Sequence, residues 1–310
     1  MSGLNSTPLT QTQRRHFLRH LGWGGLGLAT GILLTHQSDA STMPAAKRVI
    51  SIGGALTEIV YALQSQHSLV GVDTTSNFPE ETRHIASVGY ARSLSLEGIL
   101  ALAPNLILAS EDAGPATVIQ QLKASGIQFE IIAAHHRYEG LIERITRVAL
   151  LLGKVNAGEQ LVKRIASDWQ QVRSNISKAQ QASKTAPKLM FILAHAPNQI
   201  MIAGKDTSAH AMLDYVGAHN CFDTVNGYKP LTPEALLAAQ PDIILTTDQG
   251  LKANGGIDAL LQRPGFAQTP AGRNQRVISM EAMALLGFGP RLPQALRELH
   301  QAIAAFKVTT

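Results

Sequence analysis

A chain of 310 residues that is 45% hydrophobic and 16% charged has ordinary globular composition and enough length for two cores, which excludes a disordered or fibrous class. Its net charge of +5 falls to +3 once residues 1–40, with Arg14, Arg15, Arg19 and Asp39, are set aside, and no polybasic run remains, so a nucleic-acid or membrane-surface role has little support. The sole cysteine, Cys221, has no partner for an intramolecular disulfide, and no cysteine follows the leader to take a lipid.

Residues 1–40 read as an export signal. Residues 13–19 form a basic region with paired arginines, residues 21–34 are a Gly-rich apolar run too short to span a bilayer, and Ser38-Asp39-Ala40 supplies small residues for cleavage after Ala40. The string RRHFLR resembles a twin-arginine signal. An amphipathic basic helix or a membrane anchor is the alternative. The mature protein is expected to be soluble and monomeric in the bacterial periplasm.

VISIG at 49–53 predicts a strand, and residues 55–64 a helix from their three- and four-residue apolar spacing. Gly53-Gly54 between them lacks the full pattern of a nucleotide site and reads instead as a tight strand-to-helix turn. Residues 69–72 form a second strand, residues 77–80 begin a turn or short helix, and residues 129–132 form another strand, followed by a loop holding His135, His136 and Arg137. Helical pattern then dominates for about forty residues. Its second segment carries Leu161, Ile165, Trp169, Val172 and Ile176 near one face and reads as a stiff connector. Beyond it come a strand at 188–195, a loop at 196–205, a helix at 206–217 capped by Asp206 or Thr207, a loop at 250–256, a helix and turn at 257–270, a strand at 276–280 and a closing helix at 292–306.

One stretch occurs twice. GYARSLSLEGILALAPNLILASED at 89–112 returns 137 positions later as GYKPLTPEALLAAQPDIILTTDQG, so that Leu94, Glu97, Leu100, Pro104 and Leu108 match Leu231, Glu234, Leu237, Pro241 and Leu245. Each copy predicts a basic loop, a short helix opened by Ser or Thr, a proline stop and a buried strand. The fold expected is therefore α/β: two Rossmann-like lobes with mainly parallel sheets, joined by one long helix, with a ligand cleft between them. The predicted division is 1–40 for the signal, 41–156 for the first lobe, 157–182 for the connector and 183–310 for the second lobe.

With the repeated L-x-x-E-x-L-x-x-x-x-P-[DN]-[LI]-I-L phrase, these features resemble the substrate-binding proteins of vitamin B12, siderophore and haem importers over residues 47–306. GYARSLSLEGILAL closely resembles the haem-binding members. In them the tyrosine after the glycine is the axial ligand to haem iron, and it matches Tyr90. The resemblance implies a periplasmic protein that captures ferric haem b and delivers it to an inner-membrane ABC permease dimer with its ATPase, without acting as an enzyme. A phenolate oxygen suits hard ferric iron, and it ionises with help from the metal and from Arg92. Aromatic packing at a loop mouth is the other reading of Tyr90. Arg92 and Lys229 share one register of the repeat and are candidates for the haem propionates, against the reading of two solvated charges. Tyr228, His195 and His136 are candidates for a second ligand or pocket wall. Glu97 and Glu234 suit the first turn of a helix by themselves; the resemblance adds docking onto permease arginines. Two alternatives stand beside haem: a cobalamin or ferric-siderophore binder of the same architecture, and an exported α/β enzyme, for which no nucleophile-and-base or metal set is found.

Overall fold

Two sheets, reached one after the other along the chain, make two α/β lobes, as their alternating strand and helix patterns predict. The structure, a computed structural model, describes residues 46–183, 185–196 and 199–306, with backbone alone at 195, 196 and 199. The expected signal at 1–40 lies outside the described residues. In the first lobe β1 (Val49–Ile52), α1 (Gly54–Ala62) and β2 (Leu69–Val72) lead to a small hairpin, β3 (Gly89–Tyr90) and β4 (Ser93–Leu94). Next come α2 (Leu96–Ala101), β5 (Leu106–Ala109), α3 (Ala116–Ala124), β6 (Gln128–Ile131) and α4 (Tyr138–Leu152). Its sheet runs β2-β1-β5-β6, with every pairing parallel.

Helix α5 (Val155–Ala182) carries the chain to β7 (Lys188–Ala196) and β8 (Gln199–Ala203). Then follow α6 (Ser208–Val216), β9 (His219–Asn220), β10 (Tyr228–Pro230), α7 (Pro233–Ala239), β11 (Ile243–Thr247), α8 (Asp248–Ala253), α9 (Gly256–Leu261), α10 (Pro270–Arg273), β12 (Val277–Met280), α11 (Ala282–Leu286) and α12 (Leu292–Ala305). The second sheet runs β10-β8-β7-β11-β12, with β9 beside β7. Strands β7, β11 and β12 are parallel, whereas β8 pairs antiparallel with both β7 and β10.

Four segments differ from their sequence reading: the basic loops that open the two repeat copies form the β3–β4 hairpin and strand β10, the latter paired with β8, and two further loops are replaced as follows. The expected loop at 196–205 contains β8, because QIMIA pairs back on β7 through a short connection. The expected loop at 250–256 is largely helical: Thr247 accepts from the Gly250 N–H at 3.0 Å and caps α8, overriding the turn signal of the glycines. Elsewhere the local chemistry matches. Ser95 and Thr232, in one register of the repeat, cap α2 and α7 by accepting from Gly98 and Ala235 at 3.2 Å each. The single buried side chains of these short helices, Ile99 and Leu236, are also register partners.

Connector and lobes share contacts that stiffen their arrangement. Trp169 of α5 stacks on Tyr138 of the first lobe at 4.6 Å and meets Tyr215 of the second edge-on at 4.8 Å, while the Tyr138 N–H donates to the Tyr215 hydroxyl at 3.0 Å. The lobes also approach closely where a Cβ on Gly289 would sit 3.2 Å from Ala55 Cβ, which is why glycine belongs there. One buried cluster, including Leu56, Ile145, Val172, Phe191 and Phe288, runs through both lobes and the connector.

Candidate functional site

The hairpin β3–β4 projects Tyr90 from the carboxyl-end side of the first sheet. Gly89, at φ +90°, allows the approach turn, and the Gly89 carbonyl accepts from the Thr74 N–H. The segment after β5 holds the hairpin from outside: the Gly114 N–H donates to the Ala91 carbonyl and the Leu94 N–H to the Gly114 carbonyl, each at 2.9 Å. Tyr90 is 43% exposed, among the most exposed large apolar side chains described.

Arg92, two residues on, is fixed by a partner that the sequence reading did not single out. Its Nε and Nη2 donate to Asp112 Oδ2 at 3.0 and 2.8 Å, and the Ser110 hydroxyl donates to the other carboxylate oxygen at 2.6 Å. Burial works against the charge of each partner, but the shared hydrogen bonds outweigh it: the Arg92 value stays above its ordinary range and that of Asp112 below its own. The signal was available, because the first copy of the repeat ends in Ser110-Glu111-Asp112. In the second copy the register partner of Asp112 is Gln249, which offers Lys229 no carboxylate.

Tyr228 faces this group from the other lobe. It lies on β10, and Ser208 and Arg92 both act on its phenol, favouring the ionised form. Burial raises the Tyr228 pKa, against the pull of Ser208 and Arg92. Arg92 is thus within electrostatic reach of Tyr90 and Tyr228, one tyrosine from each lobe. Lys229, next along β10, is exposed. His136 packs edge-on against Phe288 of the second lobe at 5.9 Å, and burial keeps its pKa below the ordinary value, with help from Arg144 and against Glu111 and Asp112. The neutral imidazole is then a usable acceptor at neutral pH. The His195 side chain lies outside the described residues.

The lobes are also tied by buried charge. Arg291 donates to Glu58 Oε2 at 3.0 Å and to Glu281 Oε2 at 2.8 Å, and stands 4.1 Å over the Phe78 ring. Burial raises the Glu58 pKa, and Arg291 opposes the rise. Arg144 joins Glu111 at 2.9 Å and donates to the Gly287 carbonyl of the second lobe at 3.0 Å. The Gly53-Gly54 turn holds an internal anion instead of a nucleotide: the buried Asp73 carboxylate accepts from Gly53 N–H at 2.9 Å and from Thr75 and Ser76. Cavities of about 340 and 470 Å³ lie elsewhere, and neither is lined by Tyr90, Arg92 or Tyr228. Among the described residues no group of three His, Cys, Asp or Glu side chains is placed to hold a bare metal ion.

A family model described as "Periplasmic binding protein" matches residues 49–284. The chain belongs to that family. Among solved structures this periplasmic binding protein is similar to "Periplasmic heme-binding protein BhuT in complex with two hemes", at 44% identity and TM-score 0.78, covering 84% of this chain and 98% of that one. Among curated proteins it is 30% identical over 269 residues to "Uncharacterized ABC transporter substrate-binding lipoprotein YvrC" of Bacillus subtilis, covering 86% of this chain and 83% of the relative. It is 26% identical to "Vitamin B12-binding protein" of Pectobacterium atrosepticum, covering 90% and 95%.

Proposed function

We propose that this periplasmic binding protein captures ferric haem through Tyr90 and passes it to an inner-membrane ABC importer. Its family and its likeness to YvrC make it a substrate-binding protein of an ABC importer. The observation that carries the finer reading is the half-exposed Tyr90 phenol beside an arginine held in place by Asp112, with Tyr228 opposite. A phenolate is a hard anionic donor suited to ferric iron. Arg92 also keeps an uncommitted edge for a propionate, and Lys229 offers a second cation from the other lobe. BhuT, with two haems by its title, supports the ligand class. His136, Tyr228 and His195 remain the candidates for a second ligand or pocket wall.

The reading includes the expected division at 156/157 and 182/183, export with cleavage near Ala40, and docking through Glu97 and Glu234. Both glutamates are exposed in the first turns of α2 and α7, one per lobe, as contact with a paired permease requires. Capture and hand-over make or break no covalent bond in the cargo.

The Vitamin B12-binding relative favours a second reading, cobalamin as cargo. Purified protein titrated in parallel with haemin and cyanocobalamin distinguishes the two. Saturable growth of a Soret band with haemin alone is expected; saturation by cobalamin alone would replace this reading with the second.

A further inference from the structure

The two repeat helices share a feature that their own lobes do not use. Leu100 of α2 and Leu237 of α7 occupy one register of the repeat and are 40% and 41% exposed. Each stands three residues after its helix's glutamate, Glu97 or Glu234, and so on the same face. The neighbouring Ile99 and Leu236 are each fully buried, so each helix spends one apolar side chain on its core and leaves the next outside. Among the described residues neither glutamate forms an ion pair. A groove of about 470 Å³ beside the start of α7 is lined by Ile200, Met201, Leu231, the buried Leu236 and Phe266, and Leu237 is not part of its lining.

We propose that Glu97–Leu100 and Glu234–Leu237 are two copies of one docking patch, each pairing a carboxylate with an apolar anchor. The partner that fits is the pair of equivalent permease subunits, each presenting a basic side chain flanked by apolar ones; this rests on the docking reading of the glutamates. Charge complementarity sets orientation and the rate of encounter. The leucines, desolvated on contact, hold the complex once it has formed. A solvated glutamate alone adds little affinity, which gives the leucine beside it a role that helix stability does not require.

The test uses the permease–ATPase complex of the source organism in nanodiscs, with binding and stimulated ATPase activity as readouts. Leu100→Ser with Leu237→Ser should weaken docking about tenfold or more. Leu150→Ser, which alters a leucine 58% exposed on α4, should leave docking unchanged. Thermal melting and haemin uptake should be the same in all three proteins. If Glu97→Gln with Glu234→Gln weakens docking and the leucine pair does not, the apolar anchor is refuted and the glutamate reading stands. If neither pair matters, both ideas fall.

Discussion

Glu111 and Asp112 are sequence neighbours just past the end of one strand, yet they turn to different partners. Glu111 turns to Arg144, a cation only 4% exposed that also reaches the second lobe, so its charge is spent inside the protein. Asp112 turns to Arg92, whose side chain is 62% exposed and still faces Tyr90 and Tyr228. Arg291, bound to Glu58 and Glu281, is likewise saturated with internal partners. Arg92 is fixed in place with bonding capacity to spare. A clamp needs this division, because satisfied buried charges resist motion, whereas an ion pair in water adds little stability and is free to serve as positioning.

Breaking the Arg291 ion pairs should produce the largest effect. Arg291→Ala leaves Glu58 buried without its partner and should cost about 3–5 kcal/mol in urea unfolding, with haemin affinity largely kept in the folded fraction. An equal loss from Arg92→Ala would erase the distinction between the two arginines. Arg92→Ala should instead leave the urea midpoint nearly unchanged and weaken haemin binding roughly tenfold, the worth of one charge-assisted hydrogen bond. Asp112→Asn should do less, since an asparagine oxygen still accepts from the guanidinium; a result larger than for Arg92→Ala would mean that Asp112 acts on its own account.

The smallest effect concerns pH. His136 has a lowered folded value, so as pH falls through about 6.5 the unfolded chain takes up its proton first and stability declines toward acid. The decline should be shallow, because the ring is only partly covered. Urea midpoints at pH about 7.5 and about 5.5 should draw together in His136→Gln. An unchanged gap would assign the acid sensitivity to other groups.

The repeat made the lobes legible, because caps, first-turn glutamates and proline stops are local chemistry and recur at a fixed offset. Tyr90 and Arg92, two residues apart on one hairpin, were singled out differently, Tyr90 through the resemblance carried by GYARSLSLEGILAL and Arg92 as the register partner of Lys229. The ties between lobes were not. Glu58 and Arg291 lie 233 residues apart, and no local pattern joins them. The signal that pointed there was a carboxylate inside the apolar run ALTEIVYALQ, a placement that calls for a buried cation. Strand β8 was missed because its pairing arises from chain reversal, and α8 because glycines weigh toward a loop until the Thr247 cap is seen.

The proposed capture turns on the Tyr90 oxygen, and Tyr90→Phe removes that atom while keeping the ring. Haemin titration of wild type and Tyr90→Phe, followed by visible absorption, tests it most directly. The variant should lose the phenolate-to-iron band and bind at least about a hundredfold more weakly, since even outer partners of a metal ligand are worth 10–100-fold. An unaltered spectrum and affinity in Tyr90→Phe would contradict the account.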